Sequence, residues 1–192
     1  MVVINRFLVT LLLLIVTSTA FADKYSKTVE LFRNAGDSST FFDHCYGYAV
    51  FPTVGKVGFI LGAARGGGRV YINGQQVGET TMTQVSVGAT WGGQGFSQII
   101  FFQDERAFAE FSSGNFEFGG KMEVVVVTAG ANAKTTTTGP SATASGQKTD
   151  AKTKGTTYYK GYKIFTIAKG GLMLDVSAGG QKFSYSAVGP HN

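Results

Sequence analysis

The sequence predicts an α+β domain, with a strongly curved or two-layer antiparallel β-sheet and short helices at the N-terminus and in mid-chain. Glycine makes up 27 of 192 residues, about 14%, or roughly twice its average share. Short β-prone runs alternate with glycine-rich junctions, and helical periodicity is confined to brief stretches. About eight strands with so little helix to cover them must curl or form two packed layers.

The N-terminal segment, residues 1–22, has the pattern of a secretory signal peptide. Arg6 precedes an apolar run at 7–16, and Ala20-Phe21-Ala22 offers small residues where a signal peptidase needs them. The run is shorter than the ~20 residues of a membrane-spanning helix. We therefore expect cleavage before Asp23, export to the periplasm or cell envelope of a bacterium, and a single domain at 23–192.

Three helical stretches are predicted. Residues 25–35 place Tyr25, Val29 and Phe32 on one face, and Gly36 is expected to end this helix. One or two further helical turns are predicted at 39–45. Asp104 is the expected N-cap of a mid-chain helix at 105–111.

Strands are predicted over most of the remaining chain. Asn73-Gly74 indicates a hairpin turn, and 81–91 separates Thr81, Thr83, Val85 and Val87 from a small, mostly polar face. Glycine turns are expected at 62–68, 92–95 and 179–180. The predicted strands are 57–64, 68–72, 75 onward, 81–91, 96–102, 116–118, 121–129, 158–168, 172–178 and 181–187.

Residues 131–157 differ in composition from the rest of the domain. They hold nine threonines and four lysines but no large apolar residue. Such a stretch buries too little surface to offset the entropy lost on ordering. Because strands resume after it, we expect a flexible insert within the domain.

The residue inventory argues against catalysis, cofactors and nucleic-acid binding. One cysteine and two histidines provide neither a disulfide framework nor a transition-metal cluster. The glycine-rich run at 62–68 lacks the Gly-Lys-Ser/Thr ending of a phosphate loop, and no serine-hydrolase elbow occurs. We expect no enzyme activity, no cofactor, no metal and no nucleic acid partner, with Cys45 a small buried residue.

Several motifs resemble the SYLF domain family. The run Ala-Val-Phe-Pro-Thr-Val-Gly-Lys-Val-Gly-Phe at 49–59, followed by Gly62 and the glycines at 66–68, is similar to the opening signature of that family. The chain departs from the family pattern at 64–68 and in the long insert. Matching blocks continue in order at 86–88, Gln94, 101–102, 170–173, 176–177 and Gly180, so that the resemblance spans 41–185.

The resemblance implies lipid binding. SYLF members associate with membranes that carry anionic lipids, partly through a basic amphipathic N-terminal helix. Relatives of the yeast actin-regulator type also bind actin and carry an SH3 domain. This chain shows no SH3 segment and has an export signal, so actin binding is not expected of it.

The candidate lipid-binding residues form two groups. In the first helix, basic residues would attract an anionic bilayer at about 1 kcal/mol each while apolar ones insert; the alternative is that the apolar stripe packs on the sheet. Three basic residues near the first strands would form a headgroup patch, or be scattered surface charges. The candidates are Lys24, Lys27, Val29, Phe32 and Arg33 in the helix, with Lys56, Arg65 and Arg69 beyond it.

Three functions remain open at this point. The first is an exported, non-enzymatic domain that binds phospholipid or an anionic membrane surface. The second is a structural or protein-interaction module of the cell envelope. The third is a carrier that encloses a small apolar ligand within the curved sheet.

Overall fold

The computed structural model describes residues 19–58, 61–90, 94–114, 116–118, 124–126, 136–137, 157–169 and 175–189. These ranges form helices α1 (Thr19–Arg33) and α2 (Glu105–Ser112) and a 3-10 helix (Gly36–Asp43). The strands are β1 (Gly47–Gly58), β2 (Leu61–Ile72), β3 (Gln75–Thr90), β4 (Gln94–Phe102), β5 (Phe116–Phe118), β6 (Val124–Val126), β7 (Thr136–Thr137), β8 (Tyr162–Lys169) and β9 (Asp175–Ala187).

The described strands form one sheet in the order β5-β9-β3-β2-β1-β4-β8-β6-β7. Strand β6 runs parallel to β8, and every other pairing among the described strands is antiparallel. The predicted α+β class with a strongly curved sheet is confirmed. The prediction of purely antiparallel strands was wrong for β6.

The curvature is visible in contacts between strands that are far apart in the sheet. Gln98 Nε2 on β4 donates to Gln181 Oε1 on β9 across 3.0 Å, although three strands lie between them. The rings of Phe116 on β5 and Tyr162 on β8 lie 4.6 Å apart. The sheet therefore has a concave inner face, on which these side chains meet, and a convex outer face.

Aromatic side chains fill much of the inner face. The Phe51 and Phe183 rings lie 5.8 Å apart, and α2 adds Phe111, whose ring is 4.9 Å from that of Phe102. As predicted, Asp104 caps α2, and its carboxylate accepts the Ala107 N–H at 2.8 Å. This packed region offers no support for an enclosed apolar ligand.

Helix α1 and the 3-10 helix cover part of the outer face. Phe32 and Phe41 are buried there against Phe101 and Phe165, and the Phe41 and Phe165 rings are 5.2 Å apart. The apolar stripe predicted for the first helix therefore packs on the sheet. Because the stripe is used in this way, α1 is part of the core.

Two predicted glycine turns lie inside strands. Residues 62–68 belong to β2 and 179–180 to β9, whereas the Asn73-Gly74 turn is confirmed by φ values of 51° and 78°. A Cβ at Gly68 would lie 2.6 Å from ring atoms of Phe51. These turn predictions were wrong because glycine also permits close approach within a sheet.

Other predictions fall on parts of the chain that the structure does not describe. These include residues 1–18 of the expected signal peptide, the predicted turn at 92–95 except for its last two residues, and the insert at 131–157 except Thr136, Thr137 and Thr157. Helix α1 begins at Thr19, four residues before the expected mature N-terminus. Cleavage before Asp23 remains a prediction.

Candidate functional site

The helical candidates divide into buried apolar residues and exposed basic ones. Phe32 has no exposed surface, and Val29 is half-buried against the same cluster. Lys24, Lys27 and Arg33 are exposed, and the Arg33 guanidinium lies 4.2 Å from the centre of the Phe42 ring. In this fold α1 offers a bilayer its positive charge but not its apolar stripe.

The sheet separates the other three candidates. Lys56 points to the inner face and is only 1% exposed. Arg65 is exposed on the outer face. Arg69 is half-buried on the outer face, with its guanidinium 4.2 Å from the centre of the Tyr25 ring. These residues therefore do not form one headgroup patch, because each has a different environment.

An exposed apolar surface lies beside Arg65 on the outer face. Here the outward side chains of β1, β2 and β3 are aliphatic, and Val57, Leu61, Val85 and Val87 are 65%, 68%, 60% and 58% exposed. Val57 and Val85 both pair with Ala63, and Leu61 pairs with Val87, so the four form one surface. We call these four residues the aliphatic patch.

A line of basic residues borders the aliphatic patch. Arg65 lies two residues from Ala63 along β2, or about 6.6 Å at the usual strand rise. The register that passes through Arg65 continues across neighbouring strands in both directions, through Lys169, Gly95, Gly55, Arg65, Thr83 and Lys182. We call Lys169, Arg65 and Lys182 the basic row.

Two members of the basic row have polar partners. Lys182 Nζ lies 3.0 Å from Glu117 Oε1, and Lys169 Nζ donates to Thr53 Oγ1 at 3.1 Å. Both lysines are exposed. With Glu117 included, the row has a net charge of about +2. A convex, cationic and partly aliphatic surface suits an anionic, apolar partner.

The inner face of the same strands is polar. Lys56 and Ser86 are each 1% exposed and Gln98 is fully buried. Gln181 Nε2 donates to Gln84 Oε1 at 3.1 Å and to Gln98 Oε1 at 3.2 Å. This end of the sheet is thus apolar outside and polar inside, the reverse of the usual order. We call the inner residues Lys56, Gln84, Ser86, Gln98, Thr166 and Gln181 the polar cluster.

The described residues give no indication of a reactive thiol, a metal site or a membrane-spanning helix. Burial raises the pKa of the Cys45 thiol to about 11, so the thiol is protonated at neutral pH. Among the described residues, no three His, Cys, Asp or Glu side chains come together as metal ligands would. Nor does any helix in the described ranges have the length and hydropathy needed to cross a membrane.

Sequence reasoning did not identify the aliphatic patch. The alternation at 81–91 separated the two faces of β3 correctly, but Met82, Gln84 and Ser86 point inward and the valines outward. Lys182 could have indicated that the face of β3 that carries Thr83 is exposed, because the two residues pair across β3 and β9. That inference requires the register between β3 and β9, which cannot be read from the sequence.

Comparisons with known proteins agree with the resemblance seen in the motifs. The Ysc84 family model, described as Las17-binding protein actin regulator, matches residues 83–187. Beta cell expansion factor A from Aeromonas veronii is 30% identical over 157 residues, which are 81% of this chain and 51% of that protein. The chain thus spans about half the length of this curated relative. Because the family model covers more than half of the chain, we conclude that this protein belongs to the Ysc84 (SYLF) family.

Proposed function

We propose that this chain is an exported, non-enzymatic domain that binds the surface of anionic phospholipid bilayers. The observation that supports this most directly is that the aliphatic patch and the basic row lie next to each other on one convex surface. In the proposed complex, the patch enters the interface between headgroups and acyl chains. The basic row stays at the level of the anionic headgroups.

The spacing of the two features fits this arrangement. Along β2, Ala63 and Leu61 lie two and four residues beyond Arg65, or about 7 and 13 Å at the usual strand rise. Amphipathic helices that bind membranes bury their apolar faces ~5–10 Å into the same boundary. Leu61 and Val87 would therefore reach deepest while Arg65 remains with the headgroups.

The expected free energy is sufficient for reversible binding. Full burial of a valine or leucine side chain contributes about 1.5–3 kcal/mol, and the four patch residues are a little more than half exposed. Each therefore contributes about 1 kcal/mol on transfer to the bilayer. Each basic residue near an anionic surface adds about 1 kcal/mol. Glu117 offsets part of the contribution of Lys182.

Family membership supports the proposal, since the SYLF resemblance implies association with anionic lipids. The family description also names a protein partner, Las17. A protein that buried the aliphatic patch would be the alternative occupant. The basic row favours the bilayer, because its register spans six strands and provides a broad cationic border.

Co-sedimentation with vesicles tests the proposal. We expect the protein to pellet with vesicles of phosphatidylglycerol and phosphatidylcholine, and far less with phosphatidylcholine alone. Leu61→Asp places a charge in the exposed patch and is expected to reduce binding at least tenfold without unfolding the domain. Gln75→Asp adds the same charge at an exposed position of β3 and serves as the matched control.

Two results would contradict the proposal. One is equal pelleting of wild type and Leu61→Asp, and the other is no binding to either vesicle type. A third result would assign the patch to a protein partner instead. In that case the wild type would not bind vesicles but would bind a second copy of itself or another purified protein, and Leu61→Asp would abolish this binding. Export is tested separately by expressing the full chain and measuring the intact mass of the purified protein. We expect that mass to be the mass of a chain that begins at Asp23.

A further inference from the structure

A small cleft lies between α1 and the sheet, beside the hairpin turn that joins β2 to β3. Its volume is about 280 Å³, close to the lower limit of roughly 300 Å³ for small-molecule sites. One wall is formed by Val29, Glu30 and Arg33 of α1, and the other includes Tyr48 of β1 and Tyr71 of β2. A cleft of this size suits a small ligand or a single headgroup.

The two tyrosines form a rigid aromatic wall. Tyr48 and Tyr71 pair directly across β1 and β2, and their rings stack with centres 5.3 Å apart and planes 24° apart. Both rings and Val29 pack against the buried cluster under α1, so the core fixes their positions. The face of a tyrosine ring attracts ammonium groups. This wall therefore suits the cationic part of a ligand.

Arg33 is held at one end of the cleft. Its guanidinium lies 4.2 Å from the centre of the Phe42 ring, and the edge of that ring meets Tyr48 at a centre distance of 5.3 Å. Burial raises the pKa of Tyr48, and the nearby Arg33 partly opposes this rise. A guanidinium stacked on an aromatic ring keeps its in-plane N–H donors for an anion. Arg33 is thus oriented before any ligand arrives.

Glu30 supplies the opposite charge in the same cleft. It lies three residues before Arg33 on α1, a spacing that brings Cβ atoms about 5–6 Å apart and often produces an ion pair. Both side chains are exposed, but neither belongs to an ion pair in the described part of the chain. Because Arg33 lies over Phe42 instead, the cleft presents a carboxylate and a guanidinium that do not neutralise each other.

We propose that this cleft binds a small zwitterion with a primary ammonium group and a phosphate or carboxylate, either free or as the ethanolamine headgroup of a phospholipid. Glu30 accepts hydrogen bonds from the ammonium group, which lies against the tyrosine wall, and Arg33 donates to the anionic oxygens. A trimethylammonium group has no N–H to donate to Glu30. Choline compounds are therefore not ligands of the cleft.

The cleft is separate from the surface proposed above to bind bilayers. Tyr71 follows Leu61 of the aliphatic patch by ten residues along β2, or about 33 Å at the usual strand rise. None of the cleft residues belongs to the aliphatic patch or to the basic row. Binding of a soluble zwitterion also requires no membrane, so the two proposals can fail independently.

The test is calorimetric titration of the full chain with phosphoethanolamine and with glycine, in the absence of lipid. Phosphocholine, which lacks the ammonium N–H groups, and inorganic phosphate, which lacks the cation, are the comparison ligands. We expect saturable binding of a zwitterion with a primary ammonium group and at least tenfold weaker binding of both comparison ligands. A short-chain phosphatidylethanolamine below its micelle concentration distinguishes the sources. Tighter binding of this lipid than of either free zwitterion would identify the headgroup, and the reverse would identify a free ligand.

Two variants test the assigned roles. Glu30→Gln and Arg33→Gln are each expected to weaken zwitterion binding at least about tenfold, as for the loss of a hydrogen bond to a charged group. Glu105→Gln makes the same change as the first variant at an exposed position of α2 and serves as the control. Glu30→Gln is decisive, because an exposed side chain without an ion pair can be changed without unfolding the domain.

Three results would overturn the proposal. The first is no saturable binding of any zwitterion, and the second is unchanged affinity in Glu30→Gln. The third is inorganic phosphate binding as tightly as phosphoethanolamine, because Glu30 would then have no role.

Leu61→Asp separates the cleft from the outer surface. This variant is expected to weaken vesicle binding and to leave the affinity for phosphoethanolamine unchanged. Affinity that is lost in Leu61→Asp and retained in Glu30→Gln would place the ligand on the aliphatic patch and refute the cleft. Binding of phosphoethanolamine by a wild type that does not bind vesicles would support the cleft and contradict only the bilayer proposal.

Discussion

Replacing Phe32 with alanine distinguishes a structural from a membrane-inserting role for α1. Phe32 is fully buried between the helix and the outer face of the sheet, together with Phe41, Phe101 and Phe165. Truncation of a buried phenylalanine costs about 3–5 kcal/mol, because it removes apolar contact and leaves a cavity. For a domain of this size each kcal/mol lowers Tm by about 2–4 °C. We therefore expect Tm to fall by about 6–20 °C.

The assay combines differential scanning fluorimetry with vesicle co-sedimentation at a temperature where the variant remains folded. Under those conditions Phe32→Ala is expected to bind vesicles as wild type does. Glu30→Gln, at an exposed position of the same helix, serves as the control and should leave Tm unchanged. The reasoning would be refuted by a Tm within 2 °C of wild type together with weakened vesicle binding, because the stripe would then act in the bilayer.

Three further predictions follow from single contacts. Glu117→Gln removes the partner of Lys182 and should strengthen binding to anionic vesicles up to about fivefold, as measured by co-sedimentation; weaker binding would argue against the basic row. Gly68→Ala would place a Cβ against the Phe51 ring and should lower stability by about 1–3 kcal/mol in urea unfolding, whereas an unchanged midpoint would show that the ring yields freely. Cys45 has a raised pKa of about 11 in the fold, so the unfolded chain loses this proton first and stability should fall as pH rises from about 9 to 11. Cys45→Ala should remove that part of the pH dependence, and an unchanged alkaline profile would contradict it.

Local patterns predicted the elements that depend on local chemistry. Helix α2 begins after Asp104 because that side chain caps it, and the hairpin at Asn73-Gly74 forms because both residues adopt positive φ. The amphipathic stripe of α1 was also predicted, but the sequence did not show whether it packs on the sheet or enters a bilayer. In each of these cases the residues that define the element lie within a few positions of one another.

Features that depend on distant strands were beyond such reasoning. Ser86 lies on the same face of β3 as the buried Met82, and only the pairing of β3 with β2 and β9 and the curl of the sheet make that face the inner one. Lys56 is buried for the same reason. Glycine at 62–68 was predicted to form a turn, because the sequence gives no sign that the Phe51 ring packs over Gly68. The aliphatic patch was missed for the same reason, since alternation defines two faces but not which one is solvated.

The pairing of β3 with β9 also bears on how this chain folds. It joins Gly78 to Ala187, more than 100 residues apart, and it is flanked by equally long-range contacts across the inner face. Loop closure over such distances is slow and is a late event in folding. Until the last strand arrives, one edge of β3 is an unpaired template open to other chains. A chain stopped before residue 175 would expose that edge permanently, so we expect truncation at the C-terminal end to cause aggregation rather than a shortened native fold.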